Sequence, residues 1–401
     1  MKICRMIYTY SPYQLGGGDI YTAYISRALA DNGHKEVIIS ISPMHKDIVE
    51  ENGNIKIYRF PPLNVSTFHT IAKKHLLLQG IWTLLDIYSP YAYYKILSIL
   101  KKEKPDVAHI HTPIDLTLSG FDAVANVGLP TVLTVHDYIF LCRRFVLSHS
   151  NGDICTENNI NPLCRFYRQF CRRILNNKVD IVISPSKFPL NLYKMNGFFK
   201  NCETIVLPHG IELDREGNTD NAKNENSGRS ILNISYIGSL TKHKGVHILI
   251  SAFRSIKNEN IRLHIVGGGV CETELRRMSG DDNRIIFHGK FSNKEIRRFY
   301  QDSDVLIVPS IWYDVRPNVI LEAYRDGVPV IGADIGGIPE LVIENQTGFL
   351  FKSGDVEDLK RVLEIAINNP QLLKRLSKNV SEFVKQFEME KYLTWLLHLD
   401  Q

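Results

Sequence analysis

Short runs rich in Ile and Val punctuate the first half of the chain: "KICRMIYTY", "EVIIS", "NIKIYRF", "DVAHIH", "TVLTVHD", "DIVISPS" and "TIVLPHG". Helical patterns or loops separate each from the next. Uniformly apolar strands of this kind need cover on both faces, which a parallel sheet with helices on either side provides. After residue 230 the alternation restarts with "ILNISYIGS", "IRLHIVGGG", "RIIFHG", "DVLIVPS" and "VPVIGADIGG", so the chain encodes this α/β arrangement twice. Between the two lies "DREGNTDNAKNENSGRS", Asp214 to Ser230, which holds no large apolar residue and reads as an interdomain linker. A chain of 401 residues also exceeds what one core usually serves. The expectation is two doubly wound, Rossmann-like domains, residues 1–207 and 208–384, facing across a cleft outside the carboxyl ends of their strands.

Composition narrows the classes. With 44% hydrophobic and 23% charged residues the chain reads as globular. Its first apolar run is too short and polar for a secretory signal, and "HLLLQGIWTLL" falls well short of the roughly 20 residues that cross a bilayer. Seven cysteines, an odd number, suggest reduced thiols in the cytoplasm. Four cluster at Cys142, Cys155, Cys164 and Cys171 without paired CxxC spacing, which leaves free thiols in a loop-rich insertion or a structural zinc. Residues 1–207 carry 23 Lys and Arg against 16 Asp and Glu, and the remainder 25 against 27, so the basic excess belongs to the first domain. It gathers in "IAKKHLLLQGIW", "ILSILKKEK" and "CRFYRQFCRR", where basic residues alternate with aromatic and aliphatic ones. That suits an anionic membrane face or a phosphate-bearing substrate, or simply a solvated basic surface. Nothing resembles a nucleic-acid reading module.

The stretch "SIWYDVRPNVILEAYRDGVPVIGADIGG" places carboxylates at Asp314 and Glu322 around a helix expected from about Pro317 to Asp326, with Gly327 just past its end. The free amides at its start, among them those of Asn318 and Val319, favour an anion such as a diphosphate. Asp314 then faces what the phosphate carries, and Glu322 can accept two hydroxyl hydrogen bonds from a ribose diol.

These residues, with "YIGSLTKHKG", "LHIVGGG", "IIFHG" and "DVLIVPS" in that order, resemble the retaining glycosyltransferase family 4, which has the GT-B fold. The family's Glu-x7-Glu signature stands here as Asp314-x7-Glu322. The resemblance implies transfer of a sugar from a nucleoside diphosphate donor to an acceptor hydroxyl, with the anomeric configuration retained and no metal or other cofactor. It implies catalytic roles for His136, beside the transferred sugar, and for Asp314, which orients the ring. On the donor it places Lys244 at the diphosphate and Gly268 near the base, with Pro317, Asn318, Val319 and Glu322 along the helix. The glycine-rich loop corresponds to Gly16, Gly17 and Gly18, where bare backbone can approach donor or acceptor, although a merely flexible loop reads the same way. The arginine the family often carries after the glycine of "YIGS" is Ser239 here, and Arg316 is the candidate replacement. The final segment, 385–401, is apolar enough to cross back to the first domain, as the fold's last helix commonly does.

Other motifs carry less. His109 and His111 share a strand face but lack a third ligand for a metal, so His111 is read as acceptor-side and His109 as core. Asp302 and Asp304 spell D-x-D ahead of a buried strand, where Asp304 resembles a structural position. "VGGG" is only part of a dinucleotide fingerprint, which disfavours hydride transfer. By analogy with bacterial surface-polysaccharide assembly, the acceptor is expected to be a saccharide or lipid-linked saccharide, and the enzyme cytoplasmic and peripheral at the inner membrane face. Two other readings stay open: a non-catalytic nucleotide-sugar-binding subunit of a partner glycosyltransferase, motivated by Ser239 and Asp314, and an epimerase or hydrolase of nucleotide sugars.

Overall fold

A computed structural model describes residues 1–13, 17–44, 46–64, 87–142, 147, 155, 160–213 and 231–399. The expected linker, Asp214 to Ser230, and the basic stretch "IAKKHLLLQGIW" lie outside them. Two compact units result. One comprises Met1–Leu147, Cys155–Pro208 and the chain from Leu393 on, the other His209–Tyr392.

The first unit holds an eight-stranded sheet ordered β3-β4-β2-β1-β5-β6-β7-β8. Its strands are β1 Lys2–Met6, β2 Lys35–Ile41, β3 Ile48–Asn52, β4 Ile55–Phe60, β5 Val107–Ile110, β6 Thr131–Thr134, β7 Ile181–Ser184 and β8 Glu203–Val206. Every pairing is parallel except that of β3 with β4. The sequence pattern did not reveal β3, because an exposed edge strand carrying Glu50 and Glu51 has no apolar run to display.

The second unit holds six strands ordered β11-β10-β9-β12-β13-β14, all parallel. They are β9 Leu232–Ile237, β10 Ile261–Val266, β11 Ile285–Gly289, β12 Val305–Val308, β13 Val330–Ala333 and β14 Gly348–Phe351. The last was also missed, since it is short and begins on a glycine. A Cβ at Gly348 would lie 1.8 Å from the Val330 carbonyl oxygen, so only glycine lets this strand pair there.

Helices begin where the local chemistry dictates. Asn161 caps Pro162–Lys178 with Pro162 in its first turn, Asp355 caps Val356–Asn368, and Ser292 with Glu295 forms a capping box on Asn293–Asp302. In the second unit, apolar helix faces pack against the sheet. Ile234, Leu263, Ile307 and Ile331 from the strands pack with Phe253, Leu321 and Leu363 from the helices, each such side chain contributing about 1.5–3 kcal/mol by burial.

In each sheet the strand order reverses at one place. β1 lies between β2 and β5, and β9 between β10 and β12. Loops leaving the carboxyl ends of strands at such a reversal diverge and leave room for a ligand.

Candidate functional site

In the second unit, three loops that leave the strand ends pack backbone against backbone. A Cβ at Gly245 would lie 1.7 Å from the Pro309 carbonyl oxygen, one at Gly267 1.8 Å from that of Gly238, and one at Gly269 2.4 Å from that of Leu240. Gly245 and Gly267 also have φ of 72° and 140°, outside the range side-chain-bearing residues adopt readily. The Ile311 amide donates to the His243 carbonyl at 2.9 Å and that of Leu240 to Gly268 at 3.1 Å, closing the loops into one surface. The stem of the exposed Lys290 covers Gly268, whose Cβ would meet its Cε at 2.9 Å.

Lys244 Nζ donates to Asp314 Oδ2 at 2.6 Å and lies 5.2 Å from the centre of the Trp312 ring. Ser310 Oγ reaches the same carboxylate oxygen at 3.3 Å. Beneath Asp314 the glycine pair of "ADIGG" supports its backbone. The Gly337 amide donates to the Asp314 carbonyl at 2.7 Å, and a Cβ at Gly336 would lie 2.5 Å from that oxygen. Beside them, burial lowers His243 to about 4, with Lys244 adding to the effect.

The helix after Asp314 spans Asn318–Arg325, one residue shorter at each end than the sequence suggested. Pro317 has ψ of 112°, so it caps the helix from outside instead of occupying its first turn. Gly327 follows the end at φ 70°, as expected of a left-handed residue there. The amides of Asn318 and Val319 have no carbonyl within the helix to bond. Glu322 accepts a 2.6 Å hydrogen bond from the Tyr300 hydroxyl, which burial and the Glu322 charge hold well above the usual phenol range. Arg316 is 7% exposed, with its guanidinium 4.7 Å from the centre of the Phe387 ring. Ser239 accepts at its carbonyl from the Tyr236 hydroxyl, at 2.8 Å. Asp304 accepts from the Asn233 amide at 2.8 Å, which ties β12 to β9.

The first unit presents a different surface. Gly17 opens the helix Gly17–Asp31, and Gly18 lies against His136, whose Cβ and Cγ are each 3.4 Å from where a Gly18 Cβ would stand. His136 Nε2 and His111 Nδ1 are 2.9 Å apart, and His111 stacks on His109 with ring centres 4.2 Å apart. At 3% exposure His111 has little surface to offer an acceptor, and His109, equally buried, bonds Thr134 at 2.7 Å. Burial lowers His136 to about 4 and raises its neighbour Asp137 to about 7.

Sequence reasoning brought together Lys244, Asp314, Asn318 and Glu322 on one unit, and Gly18, His111 and His136 on the other. It missed Tyr300, which holds Glu322, and His209, whose Nδ1 is 3.1 Å from Asn318 Oδ1. Arg5 and Glu36 were missed too. Charges of opposite sign in two successive apolar strands were their signal. Among the described residues no three His, Cys, Asp or Glu side chains converge as a metal site, and no disulfide joins Cys142, Cys155, Cys164 or Cys171. No described helix is long and apolar enough to cross a membrane.

The arrangement in the second unit offers amides and one cation for an anion, and two carboxylates for hydroxyl groups. Residues 15–215 match the profile described as Glycosyltransferase Family 4, and residues 219–383 that of Glycosyl transferases group 1. The chain is 29% identical over 184 residues to the capsular polysaccharide biosynthesis glycosyltransferase CapM of Staphylococcus aureus, covering 43% of this chain and 47% of CapM. Sucrose-phosphate synthase from Thermosynechococcus elongatus superposes with a TM-score of 0.74 at 20% identity, over 99% of this chain and 98% of that one. Anabaena HepE, in complex with UDP, gives 0.73 at 18% identity, over 100% and 99%.

Proposed function

Because this chain belongs to the family 4, group 1 glycosyltransferases and has the GT-B fold, we propose that it transfers a hexosyl or related sugar from a nucleoside diphosphate to an acceptor hydroxyl, retaining the anomeric configuration and needing no metal. The observation that carries this reading is the cluster of Lys244, Asp314, the open amides of Asn318 and Val319, and Glu322 on loops locked by glycine contacts.

Each part has a task. The amides and Lys244 offset charge that develops on the departing diphosphate, and being fixed by the fold they need no reorganisation as it develops. Lys244 must exchange Asp314 for phosphate, which frees the Asp314 carboxylate to accept from sugar hydroxyls. Glu322, already oriented by Tyr300, accepts from the ribose diol. Gly268 gives the base a close approach to backbone, and His136, with Gly17 and Gly18 beside it, keeps the sugar-binding role that the family resemblance implies. His136, neutral at physiological pH, acts as a hydrogen-bonding group and not as a cation.

The acceptor we propose is a saccharide or lipid-linked saccharide of surface polysaccharide assembly, the process in which the name of CapM places that relative. The helix Pro162–Lys178 supports docking to an anionic membrane face from the cytoplasm. Leu163 and Phe166, 74% and 60% exposed, stand among the exposed Arg165, Arg172 and Arg173.

Thermal shift with UDP-, GDP-, ADP- and TDP-sugars, without added metal, is the first test. A ligand that binds only the folded chain raises the melting temperature. A shift with one nucleotide supports the donor site and names its base. Turnover of that donor with a saccharide acceptor then separates an enzyme from a binding subunit. Tight binding without turnover across acceptors favours the subunit, to which the absent arginine at Ser239 already points. Product mass separates transfer from epimerisation or hydrolysis.

A further inference from the structure

A buried ion pair is an expensive occupant of a central strand, because an apolar pair of similar volume is often as stabilising or more so. β1 nevertheless carries Arg5 at 0% exposure. Its Nε and Nη2 donate to the two carboxylate oxygens of Glu36 at 2.6 and 3.1 Å. The remaining nitrogen, Nη1, lies 3.0 Å from His109 Nδ1 and 3.4 Å from His111 Nε2.

Chemistry then fixes the protons one after another. A guanidinium donates at every nitrogen and accepts at none, so His109 Nδ1 and His111 Nε2 are both acceptors. A neutral imidazole has one N–H, and that of His111 is left on Nδ1. Thr22 leads to the same assignment independently. Its hydroxyl gives its single hydrogen to the Gly18 carbonyl at 2.8 Å, so toward His111 Nδ1, 3.4 Å away, it can only be the weaker second acceptor of a hydrogen shared with the nearer His136 Nε2. His111 therefore donates to His136 Nε2 across 2.9 Å, and a neutral His136 holds its own proton on Nδ1.

We propose that the Glu36–Arg5 pair is a positioning device for His136: acting through His111, it fixes the imidazole in the tautomer with its proton on Nδ1 and Nε2 occupied as an acceptor. The consequence for turnover rests on the reading of His136 as the residue that meets the transferred sugar. In this tautomer the buried Nδ1 beside Gly18 carries the hydrogen, whereas the opposite tautomer would leave Nδ1 without a hydrogen to give. Arg5, Glu36 and His111 touch no reacting atom. The same arrangement explains why three histidines and an arginine share one face of β1, β5 and the end of β6, where apolar side chains would pack more simply.

The test is the tautomer itself, read from long-range proton–nitrogen correlations of the full-length protein labelled with 15N-histidine at pH 7.5. His136 is assigned by the signals lost in His136→Gln. The expected wild-type result is a preference of about tenfold or more for protonation at Nδ1, as a buried hydrogen bond of this kind supports. The double variant Arg5→Leu/Glu36→Leu replaces the pair without stranding a charge, and His111→Phe removes the donor to Nε2. Each should shift His136 toward Nε2–H while unfolding remains cooperative. If the double variant fails to fold, His111→Phe carries the test alone. Protonation at Nε2 in the wild type, or an unchanged ratio in His111→Phe, overturns the proposal. Turnover separates the two readings. A ratio that shifts as expected, beside a His136→Ala variant that transfers sugar at the wild-type rate, supports the relay and removes the sugar-contact role of His136.

Discussion

The two units prepare their surfaces by opposite means. In the second, the proposed donor surface is built of backbone: glycines let carbonyls and amides approach closely, and the charged groups, Lys244 and Asp314, hold each other at 2.6 Å. In the first, the proposed site rests on buried side chains, where Glu36, Arg5, His111 and His136 form a line of hydrogen bonds under a helix. Backbone donors are rigid and do not titrate, which suits a group that is anionic throughout, such as the proposed diphosphate. Side-chain networks can be tuned proton by proton, which suits a neutral group that must present one particular hydrogen.

The contrast can be broken most severely at the glycines. Gly267→Ala, and equally Gly245→Ala, should cost more than about 3 kcal/mol and abolish any donor-induced thermal shift, because the new methyl meets a carbonyl oxygen and the φ is unfavourable. Calorimetry of the free protein and of the protein with donor checks both effects. His136→Ala should reduce turnover by roughly a hundredfold while nucleotide affinity stays near wild type. An equal loss of both would move His136 out of its assigned place. Lys244→Met with Asp314→Asn removes the ion pair without leaving Asp314 buried alone, and should weaken UDP binding about tenfold or more, with a smaller dependence on salt. Glu322→Ala should weaken it about tenfold, and Glu322→Gln less, since the amide oxygen can still accept from Tyr300. Isothermal titration resolves these two.

The smallest effect sharpens the comparison within the first unit. Asp137 is raised to about 7 from an ordinary 3.8, so between those values the folded chain keeps a proton that the unfolded chain has lost. Stability falls as pH rises through that window, and Asp137→Asn should gain about 1–2 kcal/mol above pH 7 and nothing below pH 4. His136 runs the other way. Lowered to about 4 from 6.5, it remains neutral when folded while the unfolded chain takes a proton, so stability is lost as pH falls through that range. Unfolding curves of the two variants at pH 4.5, 6 and 7.5 should diverge in opposite directions.

The same contrast decides what could be read in advance. Strands buried on both faces announce themselves as Ile and Val runs, so both sheets were legible, while the charged edge β3 and the glycine-led β14 were not. The loops of the proposed donor site were legible because glycine positions, a proline just ahead of a helix and spaced acids are local signals. The histidine relay was not. Arg5 meets Glu36 across 31 residues and His109 across 104, and only the pairing of β1 with both β2 and β5 brings them together. Tyr300 escaped for a similar reason, since a tyrosine on an amphipathic helix reads as core until its hydroxyl is seen on Glu322. The ends of the helix after Asp314 were legible to within one residue, Pro317 having an extended ψ that no propensity scale predicts.

Glycine contacts of this kind also limit where variation can enter. Positions 245, 267 and 269 are closed to every residue with a Cβ, so a change of donor preference in this lineage has to arise elsewhere. Ser239, set between two of those contacts, and Lys290, draped over Gly268, are side chains that can change while the loops keep their course. A library confined to those two positions would search the chemistry of the donor without spending variants on backbones that cannot close.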